Sequence, residues 1–200
     1  MSGALRHSRL LWLGIGLLAG AVIGSLWPHT PLHAVATDRS ETIVLATGPV
    51  DDIVEAVFYL DSMTGILRAG VPSLRQGAGY QAMWEANVAA DLAGVIQTVN
   101  AAVGRTGGAK GAPVQPAIQP PKTPRFIMVT GVMDLRQGSA RLRPGRAVVY
   151  VAEANTGIVI TYVLPWSQQM HVANQPLRMP MQLWVADQFP TAVIRAADQE

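Results

Sequence analysis

The sequence predicts a mainly β protein: an N-terminal transmembrane helix, then two antiparallel blade-like β-units that duplicate one another, with one intervening helix. Three observations predict it. The stretch Val57–Val71 (VFYLDSMTGILRAGV) reads as a strand, a tight polar turn and a second strand, and Val148–Val163 (VVYVAEANTGIVITYV) repeats the device. Each copy follows another shared element, Ile43–Asp51 (IVLATGPVD) and Ile127–Asp134 (IMVTGVMD). Ahead of both, Leu10–Trp27 carries no ionisable residue.

That apolar run, if helical, rises about 27 Å, close to the roughly 30 Å hydrocarbon core of a bilayer. Trp12 and Trp27 stand near its ends, where indole rings favour the interface, and Arg6 and Arg9 precede it. The positive-inside rule then puts residues 1–9 in the cytoplasm and everything beyond the 10–27 anchor outside it. The expected location is the cell membrane, single-pass. Ala34-Val35-Ala36 has the small-x-small form of a cleavage site, and cleavage there gives a secreted or periplasmic protein instead. Gly16, Gly20 and Gly24 share one helix face, a spacing that lets two backbones approach and makes a homo-oligomer possible.

Residues 28–40 read as a spacer and 41–103 as the first β-unit with its helix. Glu41–Thr47 is β-branched and strand-like, with Gly48-Pro49 ending it. Glu55–Leu60 is nearly continuous apolar sequence, which predicts a strand covered on both faces. Ile66–Val71 is its partner and Tyr80–Val88 a further strand. Over Asn87–Val103, apolar residues recur at Val88, Leu92, Val95, Ile96, Val99 and Val103, the spacing of a helix. Residues 104–124 are rich in Gly and Pro and read as a linker. The second unit, 125–200, has strands at Ala147–Val151, Ile158–Leu164 and Met181–Val185, and a last apolar run at Ala192–Ile194. It differs from the first by a polar, basic insertion, Arg136–Gly145.

In the first turn, Asp61, Thr64 and Gly65 supply the chemistry of reversal. A short carboxylate accepts from amides two residues on, and glycine takes the positive φ. Glu153, Thr156 and Gly157 do the same in the second. Asp51, Asp52, Glu55 and Asp134 lie near these turns but lack the spacing of a calcium loop. The chain has no cysteine, and only His171 of its four histidines falls beyond the anchor and spacer. No thiolate site is possible, no zinc set is apparent, and no G-x-S-x-G elbow accompanies the histidine. Gly107–Gly111 (GGAKG) lacks the Gly-Lys-Ser/Thr of a phosphate loop. No cofactor is implied. Trp84, Trp166, Trp184 and His171 remain as a possible ligand or partner surface. Residues 104–146 carry eight basic residues against Asp134 alone, but no nucleic-acid motif accompanies them.

The hairpin at Val57–Leu67 resembles the V-Y-x-L-D-x-x-T-G turn of quinoprotein-type β-propeller blades. That resemblance implies four-stranded, blade-like sheets and no quinone cofactor, because the tryptophan usual in the second strand is replaced here by Arg68-Ala69. Two units are also fewer than the four to eight blades of a closed propeller. The whole chain is similar to uncharacterised membrane-anchored bacterial proteins through Trp27-Pro28-His29, Ala36–Arg39 and Thr47–Asp51. The sequence therefore points to a non-catalytic, membrane-anchored extracytoplasmic β-domain that serves in interaction or assembly at the cell envelope. The alternative is a ligand-binding or sensory module with its pocket between the two units.

Overall fold

Thr47-Gly48 and Thr130-Gly131, the matching dipeptides of the two shared elements, set how the chain is layered. The computed structural model describes residues 16–18, 20, 37–40, 42–106, 117–135 and 142–189. Its N-terminal unit, Met1–His33, is described only at Gly16–Leu18 and Gly20, which are helical. Gly24, the rest of the expected anchor and Ala34–Ala36 lie outside the described residues. Among the described residues no helix is long and apolar enough to cross a membrane.

The second unit, Ala34–Glu200, is built on two sheets. In the first, β1 (Thr37–Arg39), β2 (Ile43–Pro49), β3 (Glu55–Asp61), β4 (Ile66–Pro72) and β5 (Tyr80–Asn87) run as an antiparallel meander. In the second, β6 (Phe126–Val132), β7 (Arg143–Glu153), β8 (Ile158–Trp166) and β10 (Gln182–Gln188) form another meander. A short strand from the second half, β9 (Leu177–Pro180), leaves it to pair in parallel with β5 and so joins the first sheet. The protein is thus mainly β, and the two sheets of the described residues close no propeller.

Several expectations are corrected. The spacer at 28–40 contains β1, whose Asp38 pairs with Leu45. Gly48-Pro49 does end its strand, with Pro49 as the last residue paired, opposite Glu55, where a missing N–H is tolerated. Glu55–Asp61 is not covered on both faces. Ala56, Phe58 and Leu60 are buried while Glu55 and Tyr59 are exposed, so the strand alternates. The short helix Gln168–Val172, capped by Ser167, and β9 were not expected at all. Both lack a periodic apolar signal long enough to read. Of the basic insertion, residues 136–141 lie outside the described residues, while Arg143–Gly145 extend β7 as far as a bulge before Val148.

One apolar core joins the sheets. Phe58, Leu60, Leu67 and Trp84 from the first meet Phe126, Met128, Val151, Ile160 and Tyr162 from the second in a single cluster. Each fully buried large side chain contributes about 1.5–3 kcal/mol, so a shared core dominates the stability of both. The long helix Val88–Thr106 starts from Asn87, whose side chain accepts from the Ala90 amide (2.9 Å), and turns Val88, Leu92 and Ile96 onto that core. Its Asn100 holds Ile118 by two hydrogen bonds, of 2.8 and 2.9 Å, which ties the described end of the 104–124 linker down. Residues 107–116 lie outside the described residues.

Where the sheets come closest, the Thr130 hydroxyl donates to the Thr47 carbonyl at 2.5 Å. A Cβ at Gly48 would stand 3.3 Å from both the Phe58 ring and Thr130. Gly48→Val should therefore overpack the contact and cost about 1–3 kcal/mol. Thermal unfolding should show the loss, whereas Gly94→Ala on an open helix position, where nothing lies within 4 Å, should be neutral or stabilising.

Candidate functional site

The two turns are chemically equivalent. Asp61 Oδ1 accepts from the amides of Met63 and Thr64, and Glu153 Oε2 accepts from those of Asn155 and Thr156. Gly65 and Gly157 both have φ of 69° and donate to the carbonyls of Asp61 and Glu153, at 2.8 and 2.9 Å. Thr64 and Thr156 each accept, through the hydroxyl, from the amide two residues on. Next, each glycine carbonyl receives the amide that follows the last strand of its meander, Val88 after β5 and Phe189 after β10.

Glu153 then departs from the pattern. Its extra methylene lets Oε1 reach the Arg125 amide and the Asn155 side chain, and the residue is fully buried. Burial pushes its carboxyl upward, but hydrogen bonds from Arg125, Thr156 and Asn155 outweigh it and the net direction is downward. The Thr64 side chain and the Met63 amide hold the half-buried Asp61 below the ordinary carboxylate value. Removing Glu153 strands several buried donors at once. Glu153→Ala should cost about 2–4 kcal/mol in urea unfolding, and Asp61→Ala distinctly less, because water replaces the lost acceptor there.

Trp84, Trp166 and His171 come together, but inside the core. Trp84 and Trp166 lie 6.1 Å apart between ring centroids, and His171 lies 5.1 Å from Trp166. Trp84 donates to the Pro165 carbonyl (3.0 Å) and Trp166 to the Asp51 carboxylate (3.1 Å). Both indoles thus bridge elements from the two halves of the chain. Asp51 also accepts from the Asp52 amide, and Asp52 pairs with Arg146. Gln81 fastens the short helix by donating to the carbonyls of Met170, His171 and Gln175. Similarly, the Tyr162 hydroxyl donates to Asp91 at 2.7 Å; burial and then that carboxylate drive the phenol well above its ordinary range.

His171 Nδ1 is buried without a hydrogen-bond partner among the described residues, on the wall of a shallow groove of about 240 Å³ with Ile53, Glu55 and Ser73. Burial pushes the imidazole below its ordinary value, against the pull of Asp51. As pH falls below the ordinary imidazole value of 6.5, the unfolded chain takes up a proton that the folded chain resists, so stability declines. His171→Gln should flatten the dependence of the melting temperature on pH between about 7 and 5.5, a window set by that lowered imidazole. An unchanged slope would remove the histidine from the account.

Trp184 is not part of the cluster. It sits on β10, at an open edge of the second sheet, and is 45% exposed. Leu183 pairs with Tyr162 and Val185 with Thr161, so Trp184 is the extra residue of a β-bulge. Both its neighbours are exposed as well. A bulge at a sheet edge re-aims its side chain and interrupts the ladder.

A hollow that sequence reasoning missed lies on the solvent face of the first sheet. Cross-strand rows Leu45–Tyr59–Arg68–Glu85 and Thr47–Val57–Gly70–Met83 pave it. The Tyr80 ring covers Gly70, where a Cβ would stand 2.6 Å from Cδ1. The signal available was a glycine opposite a valine and a methionine inside a predicted strand, which marks a close approach of some other group.

Among the described residues no group of three or more His, Cys, Asp or Glu could hold a metal. No family model, no curated protein and no solved structure matches the chain.

Proposed function

We propose that the protein is a non-catalytic, membrane-anchored extracytoplasmic β-domain, assembled from two copies of a blade-like meander, that serves in interaction or assembly at the cell envelope. The observation that supports it most is the run Leu183-Trp184-Val185. Three consecutive large apolar residues stand exposed on an edge strand, at 40%, 45% and 52%. A soluble surface ordinarily blunts such an edge with charge or proline. Tryptophan is also the residue type that most often dominates a protein interface, because a partner can desolvate its whole ring. The shared core suits this role, since it holds the edge strand on a rigid support. The anchor expected from the sequence would confine that edge near the membrane surface, outside the cytoplasm.

A photoreactive phenylalanine analogue placed at position 184, in cells making the full chain, tests this reading. Irradiation should give an adduct of defined mass, either with an envelope protein or with a second copy. The same analogue at Met63, 80% exposed at the tip of the first turn, should give none. Equal labelling patterns at both positions, or none at 184, would contradict an interaction role for this edge.

A further inference from the structure

We propose that the hollow on the first sheet is a binding site for a small, uncharged aromatic compound that carries a carbonyl acceptor. This goes beyond the edge-strand reading and stands independently of it. The hollow has a volume of about 350 Å³ and is lined by Leu45, Val57, Tyr59, Arg68, Tyr80 and Met83 over a floor at Gly70. That is within the roughly 300–1,000 Å³ range of small-molecule sites, at its lower end. The sheet makes the hollow by omission. Gly70 leaves the space into which the Tyr80 ring settles, and Tyr80, 48% exposed, becomes one wall rather than part of the core.

The lining chemistry selects the ligand. Two phenol rings, a thioether and a guanidinium all favour the face or edge of a flat π system. All the polar groups can donate: the guanidinium only donates, and the two phenols can also accept. Arg68 spends only its Nε, on Glu85 at 2.8 Å. Its terminal nitrogens and the hydroxyls of Tyr59 and Tyr80 make no hydrogen bond among the described residues. A ligand oxygen that accepts can therefore be met by all three groups, whereas a ligand donor finds only the two phenol oxygens. Charge is matched at zero, because Glu85 already neutralises Arg68. An anion would meet Glu85, and a cation would meet Arg68.

The chain has four tyrosines, two at the hollow and two elsewhere, so fluorotyrosine NMR localises binding. The full chain in phosphatidylcholine nanodiscs, with 3-fluorotyrosine at all four positions, is titrated with 2-acetylnaphthalene. Tyr59→Phe and Tyr80→Phe assign the two resonances. Both should shift saturably while those of Tyr150 and Tyr162 stay in place. 2-Isopropenylnaphthalene, the same shape with a methylene for the carbonyl oxygen, should bind at least fivefold more weakly. Arg68→Gln, at an exposed position that leaves the core untouched, should weaken the ketone about tenfold and leave the hydrocarbon unchanged. The proposal is overturned if Tyr59 and Tyr80 do not respond, if all four tyrosines respond alike, if the hydrocarbon binds as tightly as the ketone, or if Arg68→Gln leaves the ketone unaffected.

Discussion

The close approach of β2 and β6 is the constraint on which the rest of this structure depends. A glycine at position 48 leaves Phe58 and Thr130 where they sit, since a Cβ there would crowd both at 3.3 Å, and the hydroxyl of Thr130 closes on the Thr47 carbonyl. These are matching residues of the two shared elements, so the halves of the chain meet through their own repeated sequence. A six-stranded and a four-stranded sheet are each thin, and a sheet with one apolar face must bury it against something. Here each buries it largely against the other, with the long helix completing the cover. The indole hydrogen bonds, from Trp84 to Pro165 and from Trp166 to Asp51, cross between the halves as well. β9 adds a backbone version of the same coupling, since a strand from the second half is hydrogen-bonded into the first sheet.

Sharing the inner faces decides what remains outside. Trp84, inside β5, and Trp166, at the end of β8, serve the junction and are consumed by it. Trp184 escapes because β10 is an edge strand and a bulge turns it out of the ladder. On the other sheet, the alternation of β3 turns Val57 and Tyr59 outward, and Gly70 beside them opens the hollow. The two surface features therefore have one origin. They are what a duplicated meander leaves over once its repeated faces have paired.

Much of the fold was legible because its signals are local. Asp61–Gly65 and Glu153–Gly157 declare their turns through carboxylate and glycine, and Val88, Leu92 and Ile96 declare the helix through spacing. The sites were less legible, because they depend on which strands become neighbours. Nothing in Tyr80 or Gly70 alone says that one lies on the other, since they meet through a register shift between Val71 and Pro72. The three tryptophans looked alike in sequence and differ only by burial. β1 and β9 are three and four residues long, too short for periodicity to show, and both are fixed by partners distant in sequence or by the edge they extend. Glu153 reads as a copy of Asp61, yet one added methylene carries it into a buried network that its counterpart lacks.

The central claim is that the two meanders are one cooperative body with a single core. Native-state hydrogen exchange tests it directly, comparing amides of β3 (Phe58, Leu60) with amides of β7 (Val149, Val151) after Phe58→Leu. If the core is shared, a substitution in the first sheet lowers the free energy of opening by the same amount in both strands. Protection in β7 that stays at its original level while β3 loosens would contradict the account.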